Sequence, residues 1–232
     1  ESAEEFRQQF FYEACHCARL SHPNIVSIYD YGVHEGETYF IVMEYLQGET
    51  LEALHRREGA IDVGRVIKLL VQICSALIEA HGAGLVHRDL KLSNVFLLDR
   101  RDGRDFVKVL DFGLVKEVGV DTGLTGAGVT AGSPMFMSPE QIRHEEVDAR
   151  SDIYALGMVA FVLLTGKMPI SKKGPLGIMI AQLRDDVPSM DEVNPDIDVP
   201  EALQAIVYRA LQKDAADRFP DARTVRDELE QC

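Results

Sequence analysis

Cysteine is scarce and unevenly placed: Cys15, Cys17, Cys74 and Cys232 are the only four in 232 residues. That spacing excludes a disulfide framework and favours a reducing compartment, so the expected location is the cytoplasm. Basic residues are in deficit, 24 Lys and Arg against 38 Asp and Glu, for a formal net charge of −14. Binding to nucleic acid or to an anionic membrane surface needs cations that replace counterions along phosphates, so neither partner is expected. Long apolar runs are also missing. The longest, Ile153 to Leu164, has 12 residues, short of the roughly 20 that a membrane span requires, and it reads as a buried core helix. The opening Glu-Ser-Ala-Glu-Glu contains neither a basic stretch nor an initiator Met. No secretory signal is expected, and the chain reads as a fragment.

What is present is ordinary globular composition, 46% hydrophobic and 27% charged, with room for one large domain or two packed lobes. Phe6, Phe10, Ala14, Cys17 and Ala18 predict a helix over 3–20 that stops before Pro23. Two β-rich runs, 25–31 and 38–46, flank His34-Glu35-Gly36-Glu37 and predict a hairpin. Asp62 is a plausible N-cap for a long helix carrying Val66, Leu69, Leu70, Ile73, Ala76, Leu77 and Ala80 on one face. Short strands are expected around 85–86, 95–98 and 106–110, with an Asp102-Gly103 turn between the last two. Residues 117–132, rich in Gly and Thr, read as a loop. Helices are expected near 139–146, 151–166, 175–184, 201–212 and 221–231, with an acidic loop over 185–200. Cys15-His16-Cys17 invites a zinc reading, but residues two apart on a helix do not share a face and no second ligand pair follows.

Chemistry is concentrated in His87-Arg88-Asp89-Leu90-Lys91-Leu92-Ser93-Asn94, with Asp111-Phe112-Gly113 starting 17 residues after Asn94 and Ser138-Pro139-Glu140 further on. At about one in twenty per specified position, chance would give its six informative residues roughly once in 10⁸ starts. This pattern resembles the protein kinase family over essentially the whole chain. Phosphoryl transfer asks for positioning and charge neutralisation, which converging carboxylates, an amide and a lysine supply.

The resemblance implies an α+β, two-lobed fold in which 1–46 is an incomplete small lobe and 47–232 a large, mainly helical lobe. It implies ATP and Mg²⁺ as cofactors and transfer to Ser or Thr hydroxyls of a protein substrate. Asp89 is implied to handle the hydroxyl proton, Lys91 to neutralise the moving phosphoryl group, and Asn94 and Asp111 to hold Mg²⁺. Glu13 matches the regulatory-helix glutamate. Met43 matches the gatekeeper, Glu44 and Leu46 the hinge that meets adenine, and Phe96 the floor of the adenine pocket. Lys91 and Ser133 resemble the Ser/Thr-specific members, Ser133 being implied to tie Asp89 and Lys91 to the substrate loop. Glu140 with Arg218 resembles the ion pair that anchors the activation segment, residues 111–140, and Asp152 the carboxylate that bonds the catalytic-loop backbone. Arg88 marks the subclass switched by phosphorylation in that segment, with Thr130 and then Thr125 the expected sites. A second copy is expected as a partner for autophosphorylation.

The pattern also departs from the family. The glycine-rich phosphate loop and its strand lysine should precede Glu13, yet none of the 12 residues before it is Lys. Val66-Ile67-Lys68 lies on a helix downstream, and Gly126-Ala127-Gly128 leads to Pro134 rather than to a helix, so neither replaces them. The 232 residues alone are therefore expected to be nearly inactive and to expose Phe6, Phe10 and Phe11. A pseudokinase scaffold is the alternative; intact Asp89, Asn94 and Asp111 speak against it.

Overall fold

The structure, a computed structural model, describes residues 3–35, 38–99, 105–112 and 134–232, with the side chains at positions 3–6, 9 and 13 left outside. Thr125, Thr130, Ser133 and the Asp102-Gly103 turn lie outside the described residues.

Helix α1 (Ala3–Arg19) turns Phe10, Ala14 and Cys17 inward at helical spacing. Contrary to expectation Phe10 is buried, because its ring packs edge-on at 4.8 Å from Tyr39 of the hairpin. The hairpin pairs β1 (Ile28–His34) antiparallel to β2 (Thr38–Met43). β1 starts three residues later than its apolar run suggests. Val26 N–H donates to the Val109 carbonyl at 3.0 Å and Val109 N–H to the Asn24 carbonyl at 2.8 Å, so Ile25 and Val26 are held elsewhere. Phe40 and Val42 alternate with inward Tyr39 and Ile41, and with Tyr29, Met43 and Tyr45 they leave large apolar side chains exposed.

A short strand β3 (Gly48–Thr50) and helix α2 (Leu51–Glu58) follow, neither of them expected. Thr50 caps α2 by accepting from Ala53 N–H at 3.2 Å, the role a β-hydroxyl plays at a helix start. Gly48 is required: at φ 146° a Cβ would lie 1.9 Å from the Leu97 carbonyl oxygen. Helix α3 (Val63–Gly82) is capped by Asp62, which accepts from Arg65 N–H at 2.9 Å. Its apolar face is wholly buried, each large aliphatic side chain contributing about 1.5–3 kcal/mol. No strand forms at 85–86, since Leu85 N–H closes the end of α3 on the Ala80 carbonyl.

A 3₁₀ turn at Leu92–Asn94 leads into β4 (Val95–Leu98), which pairs antiparallel with β5 (Phe106–Val109) and with β3 in a three-stranded sheet. The short α4 (Pro139–Ile142) precedes α5 (Ala149–Thr165), whose residues 151–165 are all buried. The 12-residue apolar run is thus a central core helix, and among the described residues no helix is long and apolar enough to cross a membrane. α6 (Gly174–Arg184), α7 (Met190–Val193), α8 (Glu201–Ala210) and α9 (Ala222–Leu229) complete the chain. α7 interrupts the expected loop because Ser189 and Glu192 form a reciprocal cap that starts a helix.

Candidate active site

The segment His87–Asn94 leaves the end of α3 and is tied down along its length. Asp152, buried in the first turn of α5, places its carboxylate where helix N–H groups and the dipole favour it. Its Oδ2 accepts from His87 N–H at 2.8 Å and from His81 Nε2 at 2.7 Å, and Oδ1 accepts from Arg88 N–H at 2.9 Å. Arg88 adopts φ 62°, a left-handed conformation that costs of order 1–3 kcal/mol and persists only where neighbours enforce it. His87 accepts at Nδ1 from Asp89 N–H at 3.2 Å and donates from Nε2 to the Leu110 carbonyl at 2.8 Å. Burial pushes its pKa down, and the Asp152 and Asp89 carboxylates only partly offset that. His87 is therefore a neutral strut.

Side chains of its own loop also converge on Asp89. Lys91 Nζ lies 2.9 Å from Oδ2 and Asn94 Nδ2 3.2 Å from the same oxygen; Nδ2 also donates to the Asp89 carbonyl at 2.9 Å. These bonds use the nitrogen of the Asn94 amide and leave Oδ1 out. Leu110 N–H donates to the Asn94 carbonyl at 2.9 Å, bringing Asp111, the next residue, beside the loop. Asp111 is exposed with φ 50°, whereas Phe112 is buried against the His87 ring at 4.6 Å. An amide oxygen and an exposed carboxylate are hard donors too few to cage a cation alone. They suit Mg²⁺, which keeps waters and takes its remaining ligands from phosphates.

Toward β2, Met43 shares an apolar recess with Leu20, Ile25, Ile28, Asp111 and Phe112. Glu44 does more than offer backbone. Its Oε1 accepts from Ser27 N–H at 2.8 Å and from Lys108 Nζ at 2.6 Å, while Lys108 also donates to the Ile25 carbonyl at 3.1 Å. Burial raises the Glu44 pKa, but the Lys108 and Ser27 hydrogen bonds outweigh it and hold the carboxyl below its ordinary range. Half-buried Leu46 follows, and Phe96 sits half-buried on β4 between Thr50 and Lys108 on the flanking strands.

Behind the loop, Glu140 and Arg218 form a buried two-pronged pair at 2.7 and 2.8 Å, with Ser151 Oγ donating to Glu140 Oε1 at 2.5 Å. Burial raises the Glu140 pKa, yet the Arg218 and Ser151 bonds prevail and bring it down to about 2.

A protein kinase domain model matches residues 1–228. The chain belongs to the protein kinase family. The serine/threonine-protein kinase pkn3 of Myxococcus xanthus is 41% identical over 225 residues, 96% of this kinase chain and 41% of the relative. The serine/threonine-protein kinase PrkC of Bacillus subtilis is 36% identical, over 97% of the chain and 34% of its own length. The chain thus spans only about a third to two fifths of these relatives. A crystal structure of Rad53 in complex with AMP-PNP superposes with a TM-score of 0.79 at 25% identity, over 95% of the chain and 54% of the Rad53 chain.

Within this kinase fold the structure brings together Arg88, Asp89, Lys91, Asn94, Asp111 and Asp152, and separately Glu140 with Arg218. Glu13 lies on α1, its side chain outside the described residues. Cys15, His16 and Cys17 make no ligand set: the Cys17 thiol donates to the Phe112 carbonyl at 3.1 Å, and His16 Nδ1 meets the Tyr12 carbonyl of its own helix at 2.7 Å. Sequence reasoning passed over His81, Lys108 and Gln141. Lys108 was visible as a charge inside the apolar run Phe106-Val107-Lys108-Val109, and Gln141 as the third residue after the capping Ser138.

Proposed function

We propose that this domain transfers the γ-phosphoryl group of ATP to Ser and Thr hydroxyls of protein substrates. The convergence of Lys91 and Asn94 on the Asp89 carboxylate, with Asp111 beside them, carries the reading. The names of the bacterial relatives support the substrate class, and AMP-PNP in the Rad53 complex supports an adenine nucleotide. Residues 1–46 act as the small-lobe portion, ending in a hinge whose Glu44 and Leu46 backbone meets adenine over Phe96, with Met43 behind it. Residues 47–232 are the large lobe.

Asp89 orients the substrate hydroxyl and takes its proton as the oxygen bonds to the γ-phosphorus. The bond from that phosphorus to the β-bridging oxygen breaks, and ADP leaves with the electron pair. Lys91 neutralises charge on the moving group, and the Lys91 and Asn94 hydrogen bonds keep Asp89 from rotating. Asn94 Oδ1 and Asp111 would hold Mg²⁺, which would supply charge neutralisation at the phosphates. Phosphorylation at Thr130 or Thr125 switches on transfer, the added charge being paired by Arg88. The enzyme works in the cytoplasm on protein substrates, a second copy of itself included.

The test is phosphoamino-acid analysis after incubating the protein, as its gene encodes it, with γ-labelled ATP, Mg²⁺ and a basic protein substrate. Label is expected on phosphoserine and phosphothreonine. Label confined to phosphotyrosine, or nucleotide binding without transfer as in a scaffold, overturns the reading.

A further inference from the structure

We infer that Gln141 is a positioning residue that locks the catalytic loop to the end of the activation segment. The Arg88 residue is gripped at both ends: Asp152 takes its N–H at 2.9 Å, and Gln141 Nε2 donates to its carbonyl at 2.7 Å. These grips come from α5 and α4, and between them Arg88 is held at φ 62°. Release of the carbonyl lets the residue relax toward negative φ, which turns the Asp89 N–H away from His87 and the Asp89 carboxylate away from Lys91 and Asn94.

The other end of the Gln141 amide is also occupied. Its Oε1 accepts from Ser138 N–H at 3.0 Å, while Gln141 N–H donates to Ser138 Oγ at 3.4 Å. With a donor at one end and a carbonyl at the other, the orientation of the amide is fixed. Glutamate is as good as glutamine in such a cap, but a carboxylate cannot donate to Arg88. Capping alone therefore does not call for an amide, and the contact to the catalytic loop does. Glu140, next in the chain, is fastened to Arg218, so α4 is a rigid base for the grip.

The inference rests on Asp89 being the catalytic carboxylate, and its test separates the two. Gln141→Glu and Gln141→Met are compared with wild type by kcat, by KM for ATP and peptide, by Tm, and by amide hydrogen exchange over residues 87–91. The glutamate variant keeps its cap and is expected to keep Tm and both KM values while kcat falls about tenfold, the effect of one net hydrogen bond. Its kcat relative to wild type recovers as the pH is lowered, because a protonated Glu can again donate to the Arg88 carbonyl. Exchange at Asp89 quickens in both variants, which remains readable if no phosphoryl transfer occurs at all. Gln141→Met loses the side-chain half of the cap as well, so Tm and kcat both fall; corrected for folded fraction, it serves if the glutamate variant folds poorly. Wild-type kcat and unchanged exchange in a folded Gln141→Glu protein overturn the inference, whereas absent transfer in wild type with quickened exchange in the variant overturns only the kinase reading.

Discussion

A residue's neighbours decide its charge here more than its type does. His87 is neutral because burial disfavours the imidazolium and because Nδ1 must stay bare to accept the Asp89 N–H. Its folded pKa is depressed, so its contribution to stability is complete above the ordinary pKa near 6.5 and is lost as pH falls toward the folded value. Thermal unfolding followed by circular dichroism is expected to show Tm falling below about pH 6.5, less steeply in His87→Asn. Identical pH profiles for the two proteins contradict that role. The identities of Asp89, Lys91, Asn94 and Asp111 were legible in the sequence because their spacing is stereotyped. The Lys108 contact with Glu44 was not, because it joins residues 64 apart and depends on how β5 lies against the hairpin.

At the scale of elements, α4 and α5 hold the catalytic loop from behind, and the Glu140 pair with Arg218 fixes α4 to the segment before α9. Both groups are buried and fully hydrogen-bonded, so removing one strands the other. Arg218→Met is expected to destabilise the fold by about 3–5 kcal/mol in denaturant titrations. The Glu140 pKa is lowered from 4.5 to about 2. Its contribution is present above pH 4.5 and lost as pH falls toward 2, so the gap between wild type and Arg218→Met should close over that window. A loss below about 1 kcal/mol, the range of surface pairs, contradicts the buried pair. Periodicity revealed α1, α3 and α5 from sequence because each buries a long apolar stripe or surface. It missed α2, a short helix rich in charge whose main signals are the Thr50 cap and the two buried residues Leu51 and Leu54. The strand expected at 85–86 failed because those residues close α3 instead.

Across the whole molecule, two bodies of chemistry meet at the catalytic loop: carboxylate and amide oxygens in front, and a frame of Asp152, Gln141 and His87 behind. The front was legible as motif. The frame was only partly so, because Asp152 carried a motif while Gln141 read as an ordinary helix residue until α4 was placed over Arg88. The proposed function separates binding from chemistry, since it assigns Asp111 to the Mg·ATP complex and Asp89 to the transfer step. Single-turnover transfer from Mg·ATP to a peptide, measured alongside calorimetry of Mg·ATP binding in the gene-encoded protein, tests this division most directly. Asp89→Asn is expected to slow transfer by about 10²–10⁴ with binding unchanged, and Asp111→Ala to weaken Mg·ATP binding itself; transfer by Asp89→Asn at the wild-type rate would contradict the account.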